Sequence, residues 1–444
     1  MSAPVETVDP AAGAVRRPRL LAGPYRTATV GILLVVTLLA FEQMAVGTVM
    51  PVAARELHGL SMYAWGFSAV FISGLVANVL AGGWADARGP AHPLFTGLAV
   101  FVAGLVIAGA APGMAWFVAG RAVQGFGSGL AVVPLYVIVA HVYPEESRPK
   151  VFAAMSAAWV VPSLVGPSVG GLVAEHVGWR WVFLGLVPLV LPAAVMLTPV
   201  LRGSRTHGAL PRGRTLAAGA LAAGAALLLW GIDHRSPLAL PGLAGLVYGL
   251  RVLLPRGTLR LGRGLPTAIA MRGLMMGTMA GTEAFIPLAL VTRHGFTPTA
   301  AGVVLTSGAL GWSAGSWWQG RFTDASRARF AVLGAALLAT GVAGITLALY
   351  ISGWAAVPAW IVAGVGMGMA FPTLSVQVLS LSAPSEQGTN SSALQVSDTL
   401  GSSLAVGVAG ALVNAAGLGA GLAWTLAIGL VAAAAAHRVE VSRA

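Results

Sequence analysis

The sequence has no cysteine and few charged residues. Of its 444 residues only 9% are Asp, Glu, Lys or Arg, whereas such residues make up roughly 25% of an average soluble domain. Without cysteine, disulfides, thiolate metal ligands and cysteine nucleophiles are excluded. The eight His residues are scattered without the spacing of a metal site. We therefore expect no metal and no other cofactor.

Apolar residues are abundant instead. They make up 57% of the chain, and the mean hydropathy is +0.83. The net charge of +12 could suggest a nucleic-acid partner, but such a partner requires a basic stripe on a soluble surface. Here the charged residues lie between apolar blocks, so a lipid bilayer is the expected partner and nucleic acid is not.

Fourteen blocks are long and apolar enough to approach a membrane span of about 20 residues. The seventh and eighth are the shortest, so twelve spans is the alternative. The blocks are Thr29 to Met50, Ser61 to Trp84, His92 to Ala111, Met114 to Ala140, Val151 to Ala174, Trp181 to Leu201, Thr215 to Ile232, Leu238 to Leu254, Pro266 to Val291, Thr299 to Gln319, Phe330 to Ile351, Trp354 to Ser380, Asn390 to Ala415 and Gly417 to Ala436.

The basic residues lie mostly on one side of these blocks. All but six of the 26 Lys and Arg residues fall on the side of the N-terminus. The exceptions are Arg55, Arg180, Arg235 and Arg293 on the other side, and Arg121 and Arg272 within blocks. Cytoplasmic loops carry such an excess, so we expect a multi-pass protein of the cytoplasmic membrane with both termini in the cytoplasm. A cleaved signal peptide is not expected, because the first block is long enough to span.

An internal repeat relates the two halves of the chain. Ala115 to Gly120 recurs as Ala359 to Gly364, a shift of 244, and Gly82 to Asp86 recurs as Gly320 to Asp324, a shift of 238. Such a shift pairs the first, second and fourth blocks with the ninth, tenth and twelfth, as in transporters built from parallel repeats.

The repeat predicts an all-α membrane protein with two six-helix bundles that flank two inserted helices. The expected segments are a disordered cytoplasmic tail at 1–27, an N-terminal bundle at 28–201, a linker with two extra helices at 202–265, a C-terminal bundle at 266–437 and a cytoplasmic tail at 438–444.

A glycine-rich loop follows the second block. From the residues alone we expect a tight turn at the glycines and hydrogen bonds to Asp86 near a helix N-terminus. Gly82, Asp86 and Gly89 also resemble the loop signature of the major facilitator superfamily. The resemblance implies a latch between the bundles on the cytoplasmic side. Residues 90–93 depart from the family pattern, because they are not basic; an ordinary turn is the alternative.

Two further blocks carry patterns similar to those of this superfamily. Arg121, Gln124 and Gly125 look like its fourth-helix motif, and they share a face that must point inward because a central Arg in lipid costs at least ~2.5 kcal/mol. A purely structural buried Arg is the alternative.

The fifth block resembles the signature associated with antiporters of the superfamily. Its residues are Gly166, Pro167, Gly170 and Gly171. The Pro loosens the helix and the glycine spacing permits close helix contact; helix packing alone is the alternative.

The first block, with Glu42 followed by an apolar run that ends at Pro51, resembles that of multidrug exporters, although Asp is more usual than Glu. Residues 178–183 also look like that group. Together these motifs resemble the fourteen-span drug:proton antiporters over nearly the whole chain, although 444 residues is short for that branch.

Ionisable residues within spans mark candidate coupling sites, because buried charge is costly and is usually functional or paired. Glu42, Arg121 and Glu283 each lie roughly 10 to 12 Å from the outer surface at the α-helical rise. Asp398 lies roughly 12 Å from the inner surface by the same rise. A nearby cation favours the charged form of a carboxyl group, so Arg121 beside a carboxylate could act as a two-state element.

Substrate-cavity residues are expected on the same helices. The candidates are Gln43, Gln124, Met276, Met279 and Gln395. Met side chains repack around varied ligands. The alternative for the ninth block is a Met-filled helix contact, with Arg272 extending to the inner surface.

The function expected from the resemblance is proton-coupled export of small amphipathic compounds by a monomer, with protons and a small molecule as partners. Proton-coupled uptake of a metabolite is the alternative. A third interpretation is a membrane enzyme or sensor. An enzyme is not expected, because no His, Ser or Asp group has useful spacing, and no signalling domain is evident for a sensor.

Overall fold

The computed structural model describes residues 25–201, 212–322, 327–383 and 386–439, and in these residues the regular structure is helical throughout. Most of the expected N-terminal tail, most of the C-terminal tail and Asp324 of the repeat lie outside the described residues. The α-helices are α1 (Arg26–Glu56), α2 (Trp65–Arg88), α3 (Ala91–Gly109), α4 (Met114–Val142), α5 (Arg148–Val173), α6 (Arg180–Leu184), α7 (Val187–Leu201), α8 (Arg212–Asp233), α9 (Ala239–Leu253), α10 (Leu265–His294), α11 (Pro298–Gln319), α12 (Arg327–Ile351), α13 (Ala356–Leu381), α14 (Gln387–Ala416) and α15 (Leu418–Ala435).

Most of these helices fit the hydrocarbon core of a membrane. A helix satisfies its own backbone hydrogen bonds, which an apolar solvent demands. Twelve helical segments of the described chain are long and apolar enough to span, whereas α9 has only 15 residues and α11 is not among the twelve. Large apolar side chains are exposed on the outside, such as Val195, Leu240 and Leu347. The chain is therefore a multi-pass membrane protein.

The helices alternate in direction along the chain. We call the side on which α1 begins the near face and the side on which it ends the far face. The helices α6 and α7 together make one broken crossing, because the helix is interrupted at residues 185–186. On this definition α10 begins at the near face, as α1 does.

The packing of the first seven helices recurs in the last six. In the first bundle α2 and α3 pack on α4, and α1 packs on α5 and α7; in the second, α11 and α12 pack on α13, and α10 packs on α14 and α15. The pairs α1 with α10, α2 with α11 and α4 with α13 are those that the sequence repeat relates. Two bundles of repeated architecture therefore form the fold, as predicted.

The helices α8 and α9 form a hairpin outside both bundles. Glycines allow the close approach: a Cβ atom placed on Gly249 of α9 would lie 2.6 Å from Cβ of Leu221 on α8. α8 runs beside α2 and α14. At the near end Arg214 donates a hydrogen bond to Ser392 (3.2 Å), and at the far end Asn414 donates one to Asp233 (3.2 Å). α8 thus follows α14 over about 30 Å at the α-helical rise.

The two bundles meet in the half of the protein that is closer to the far face. Hydrogen bonds between described residues of the two bundles lie there. The bonded pairs are Tyr63 with Ala284, Ser68 with Ser403, Ser168 with Thr306, Thr306 with Leu164, Thr299 with Glu175, and Asn414 with Ser61. The described structure is therefore closed at the far face.

The glycine-rich segment after the second span differs from the expected turn. α2 continues through Gly82 to Arg88 and ends at Gly89, whose φ of 81° favours glycine. A Cβ atom on Gly82 would meet no atom within 4 Å. The expectation of a turn at the first glycines was wrong, because the apolar helix persists until the left-handed residue. Asp86 lies exposed in the last turn of α2 and has no hydrogen bond among the described residues.

Candidate functional site

A buried ion pair joins α1 to α4. The guanidinium of Arg121 bonds the carboxylate of Glu42, and the two residues are 2% and 4% exposed. Arg121 also donates to the backbone oxygen of Gly66 (3.0 Å) and to Oε1 of Gln124 (2.9 Å). The structure thus brings together Glu42, Arg121 and Gln124, which the sequence had placed on separate or adjacent motifs.

A hydrogen-bond donor beside the ion pair has no acceptor in the described part of the chain. Gln124 is buried, and its Nε2 has no partner among the described residues. A buried amide N–H without an acceptor is unfavourable by about 1 to 3 kcal/mol. The guanidinium of Arg121 lies 6.0 Å from the ring centre of Phe183 on α6. An aromatic wall and a free donor therefore flank the charged pair.

A second buried ion pair joins α10 to α14, closer to the near face. Arg272 donates through Nε to Asp398 Oδ1 (3.1 Å) and through a second nitrogen to Oδ2. Its third nitrogen donates to Ser375 (2.6 Å), and its guanidinium carbon lies 3.5 Å from the ring centre of Phe371. Both charged residues are buried.

This geometry corrects the interpretation of Arg272. The alternative in which Arg272 extends to the inner surface was wrong, because its guanidinium is buried against α13 and α14. Burial of a charge in lipid or protein demands a counter-charge, and Asp398 supplies it.

Glu283 has a different environment from the two paired acids. It is partly exposed and has no ion-pair or hydrogen-bond partner among the described residues. The next residue, Ala284, accepts a hydrogen bond from Tyr63, one turn from the Gly66 carbonyl that Arg121 contacts. Glu283 therefore lies near the level of Arg121 but on the opposite bundle, and the structure does not join the two.

Met276 and Met279 of α10 lie on the face that carries Glu283. Met279 is buried and Met276 is partly exposed. The spacing from Met276 to Met279 and Glu283 places all three on one side of the helix.

Gln43 and Gln395 are both exposed, one on each bundle. On α1, Glu42 faces α4, and Gly47 faces α11, because a Cβ atom on Gly47 would lie 3.2 Å from Leu305. Around the helix axis, Gln43 lies between these two directions. On α14, Gln395 is one turn from Asp398 on the polar side of the helix. Their exposure fits a water-accessible cavity.

The motif glycines of α5 form close helix contacts at the far side. Cβ atoms placed on Gly166 and Gly170 would lie 3.0 Å from Cβ of Met44 and 2.8 Å from Cβ of Ala45 on α1. One placed on Gly171 would lie 2.7 Å from the carbonyl carbon of Pro298 on α11. α5 continues through Pro167 and then passes into a π-helical segment. This segment therefore contacts both bundles.

The fourth-helix glycine has a similar packing role. A Cβ atom on Gly125 would lie 2.6 Å from Cα of Val70 on α2. Only glycine allows these backbones to approach so closely.

Sequence reasoning missed several partners of the charged residues. Ser375, Phe371 and Phe183 carry no motif, and polar or aromatic residues are common in membrane helices. The pairing of Arg272 with Asp398 had a signal, since both residues lie in the half of their helices closer to the near face. A comparison of the depths of Arg272 and Asp398 in the membrane would have predicted that they pair.

A profile of the Major Facilitator Superfamily matches residues 32–406. The chain belongs to the Major Facilitator Superfamily. As a member it is a membrane transporter of small molecules and not an enzyme. It is 28% identical over 410 residues to a protein of Mycobacterium tuberculosis named "Probable multidrug-efflux transporter", an alignment that covers 86% of each chain. It is 25% identical over 178 residues to the multidrug transporter protein MdtP of Bacillus subtilis, which covers 40% of this chain and 33% of that one.

Solved structures share the fold of this superfamily member. A POT family transporter in complex with 5-aminolevulinic acid superposes with a TM-score of 0.70 at 13% identity and covers 93% of this chain and 96% of its own. A bacterial homologue of the human lysosomal transporter Spinster, in an inward-facing and occupied conformation, gives a TM-score of 0.66 at 16% identity and covers 94% and 97%. At these identities the likeness extends to the fold alone.

Proposed function

We propose that the protein exports small amphipathic or lipophilic compounds in exchange for protons, by alternating access across the cytoplasmic membrane. One observation carries the proposal. The turn of α1 that holds Glu42 in its ion pair also holds Met44 and Ala45, against which Gly166 and Gly170 of α5 pack. The candidate proton carrier therefore shares one helical turn with the contact between α1 and α5, and α5 packs in turn on Pro298 of α11 in the other bundle.

Because Glu42 and the α1–α5 contact lie on the same turn of α1, the charge of Glu42 is physically linked to the position of α1. Protonation of Glu42 neutralises the carboxylate and removes its attraction to Arg121. α1 can then shift relative to α4, and any such shift changes its contact with α5. Transport coupling requires that a proton and a conformational state bias one another.

The direction of transport is supported by resemblance. The segment from Gly166 to Gly171 resembles the antiporter signature, and the M. tuberculosis and B. subtilis relatives are named for multidrug efflux. Lipophilic compounds also fit a cavity with Met276 and Met279 on one wall, because thioethers adapt to varied shapes.

Polar groups complete the proposed substrate cavity. Gln43 and Gln395 supply hydrogen-bonding groups from opposite bundles, and the free Nε2 of Gln124 supplies a donor beside the Glu42 pair. Glu283, without a partner among the described residues, is a second candidate proton or cation site. Asp398 is the reserve candidate, because Arg272 holds it through two hydrogen bonds.

The orientation follows from the basic residues. Most Lys and Arg residues lie toward the near face, so the near face is the cytoplasmic one. The closed far side then corresponds to a conformation in which the substrate cavity is accessible from the cytoplasm.

Transport in proteoliposomes tests the proposal. A pH gradient that is acidic at the far face should drive a lipophilic cation or a neutral lipophilic antibiotic from the near side to the far side. Each transport event should release protons on the near side, which a trapped pH dye records. Substrate movement in the same direction as protons would instead establish the uptake alternative. Glu146→Gln, at an exposed acid between α4 and α5, is a matched control that should leave transport unchanged.

A further inference from the structure

A cavity opens on the far face, apart from the proposed transport site. Its volume is about 780 Å³, within the range of roughly 300 to 1,000 Å³ that is usual for small-molecule sites. It lies where α2, α8, α10 and α14 reach the far side. We call it the far vestibule, and its lining includes Trp65, Trp230, Asp233, His234, Arg293 and Asn414.

The floor of the far vestibule is built by contacts among three helices. Ser61, Trp65, Asp233 and Asn414 line both the vestibule and a narrower cleft beneath it. Asn414 donates hydrogen bonds to the backbone oxygen of Ser61 (2.8 Å) and to Oδ1 of Asp233 (3.2 Å). The carboxylate is thus held in place at the floor.

The vestibule lining holds one carboxylate, Asp233, and one guanidinium, Arg293, which are not bonded to each other. Asp233 has no ion-pair partner among the described residues, and its one hydrogen bond comes from a neutral amide. The guanidinium of Arg293 lies over the ring of Tyr350 at 4.9 Å, and Tyr350 is not part of the lining. His234 stacks on Trp230 and hydrogen-bonds the backbone of the same residue. Asp233 therefore presents to a ligand a carboxylate that has no ion-pair partner among the described residues.

Two indole rings flank that carboxylate. Trp65 is partly exposed and Trp230 is 40% exposed, so both have free surface. Organic cations bind to aromatic faces, with Trp the most favourable. The lining also includes apolar residues, among them Met62, Leu288 and Val413.

We propose that the far vestibule is a second ligand site, which binds organic cations with an aromatic or flat apolar body. Asp233 contacts the positive charge, and Trp65 and Trp230 contact the body. Binding of a cation at the far vestibule requires no proton gradient. The role of the vestibule as an exit site on the transport path rests on the proposed export function. The site also gives the inserted hairpin a role, because α8 contributes Trp230 and Asp233, and His234 follows directly after α8.

Protection of an introduced cysteine tests the proposal, and the chain has no native cysteine to interfere. Ser61→Cys places a thiol on the floor, at an exposed residue whose backbone makes the contact to Asn414. Purified protein in detergent is treated with a maleimide, with or without tetraphenylphosphonium. The cation should slow the modification. It should not slow modification of Ala115→Cys, an exposed position at the far end of α4 that is outside the lining.

Variants in the vestibule identify the contacts. Adding Asp233→Asn should raise the tetraphenylphosphonium concentration for half-protection about tenfold, because the attraction between the carboxylate and the organic cation is lost. Trp230→Leu, which keeps the carboxylate, should also weaken protection. Triphenylphosphine oxide, a neutral molecule with a similar body, should protect poorly. Equal protection in Asp233→Asn, or equal protection by the neutral probe, would overturn the proposal, provided that each variant elutes as a single species like the parent.

The outcome is separable from that of the proposed function. Glu42 is not part of the vestibule lining, so Glu42→Gln should leave protection of Ser61→Cys intact even if it abolishes transport. Protection that depends on Asp233 in a protein without proton-driven export would establish the site and refute the antiport mechanism. Normal proton-driven export without protection of Ser61→Cys would support the antiport mechanism and refute the second site.

Discussion

At the scale of single residues, two buried arginines determine where the charges of the protein lie. An unpaired charge in a membrane protein is unfavourable, and breaking a buried pair by removal of one partner typically costs about 3 to 5 kcal/mol. Arg121 therefore holds Glu42, and Arg272 holds Asp398, each within one bundle. Glu283 is a carboxyl group of the spans without such a partner among the described residues.

Glu42→Gln should eliminate transport driven by a pH gradient while substrate binding survives. The substitution keeps the shape and a hydrogen bond to Arg121 but removes the titratable proton. Binding should also lose most of its pH dependence, since linkage requires a group whose proton affinity differs between the bound and free forms. Proteoliposome flux and equilibrium binding at several pH values measure the two effects.

An opposite pattern would move the coupling site. If Glu42→Gln retained proton-driven export and Asp398→Asn lost it completely, the proton carrier would lie on α14 and our assignment to α1 would be refuted. Glu146→Gln serves as the control for loss of an acid outside the spans.

The second ion pair should contribute mainly to stability. Asp398→Asn or Arg272→Gln alone leaves one buried charge without its partner and should destabilise the protein by on the order of 3 kcal/mol. The double variant removes both charges, so it should recover part of that loss. Thermal unfolding in detergent measures this. A double variant as unstable as the sum of the single ones would show that the two residues are not coupled.

The direction in which a residue faces could be predicted where the cost of exposure to lipid allows only one direction. Arg121 had to face inward, because lipid excludes a central guanidinium, and the structure places it there. The partner of Arg272 was not predicted, since periodicity places Arg272 on the same side as Glu283 but says nothing of the neighbouring helices. Pairing across helices depends on tertiary packing.

At the scale of elements, the contact between α1 and α5 depends on the absence of side chains. Gly170→Leu would place bulk against Ala45, where a Cβ atom alone would already lie 2.8 Å from the Ala45 Cβ. We expect loss of transport with normal membrane insertion, because Leu only raises the hydropathy of the span. Gly219→Leu on α8 is the matched control, since a Cβ atom there would meet nothing within 4 Å. Normal efflux by Gly170→Leu would exclude a gating role for this contact.

The α8–α9 hairpin should cross the membrane twice. α8 contacts α14 near both of its ends, and α10 begins again at the near face. A cysteine at Arg235, between the two helices, should react with an impermeant thiol reagent added at the far side. Ala115→Cys is the control for the far face and Arg260→Cys for the near face. Labelling of the Arg235 cysteine only from the near side would establish twelve spans.

At the scale of the whole molecule, the repeat in the sequence was sufficient to predict two related bundles. The matches at Ala115 and Ala359 relate α4 to α13, and these helices have equivalent packing partners. The conformation could not be predicted, because a transporter sequence must be compatible with at least two arrangements of its bundles. The far-side closure is a choice between states of similar free energy, so only the structure reveals which one is described.

The closed far side can be tested by a reversible cross-link between the bundles. Ser168 on α5 and Thr306 on α11 place their hydroxyl oxygens 3.2 Å apart, so cysteines at both positions should form a disulfide under mild oxidation. Alternating access requires these helices to separate. The oxidised double variant should therefore lose transport, and a reductant should restore it, whereas each single variant should be unaffected by either treatment. Full transport by the cross-linked protein would mean that α5 and α11 do not separate during the cycle, and the alternating-access mechanism would have to open the far side between α2 and α14 alone.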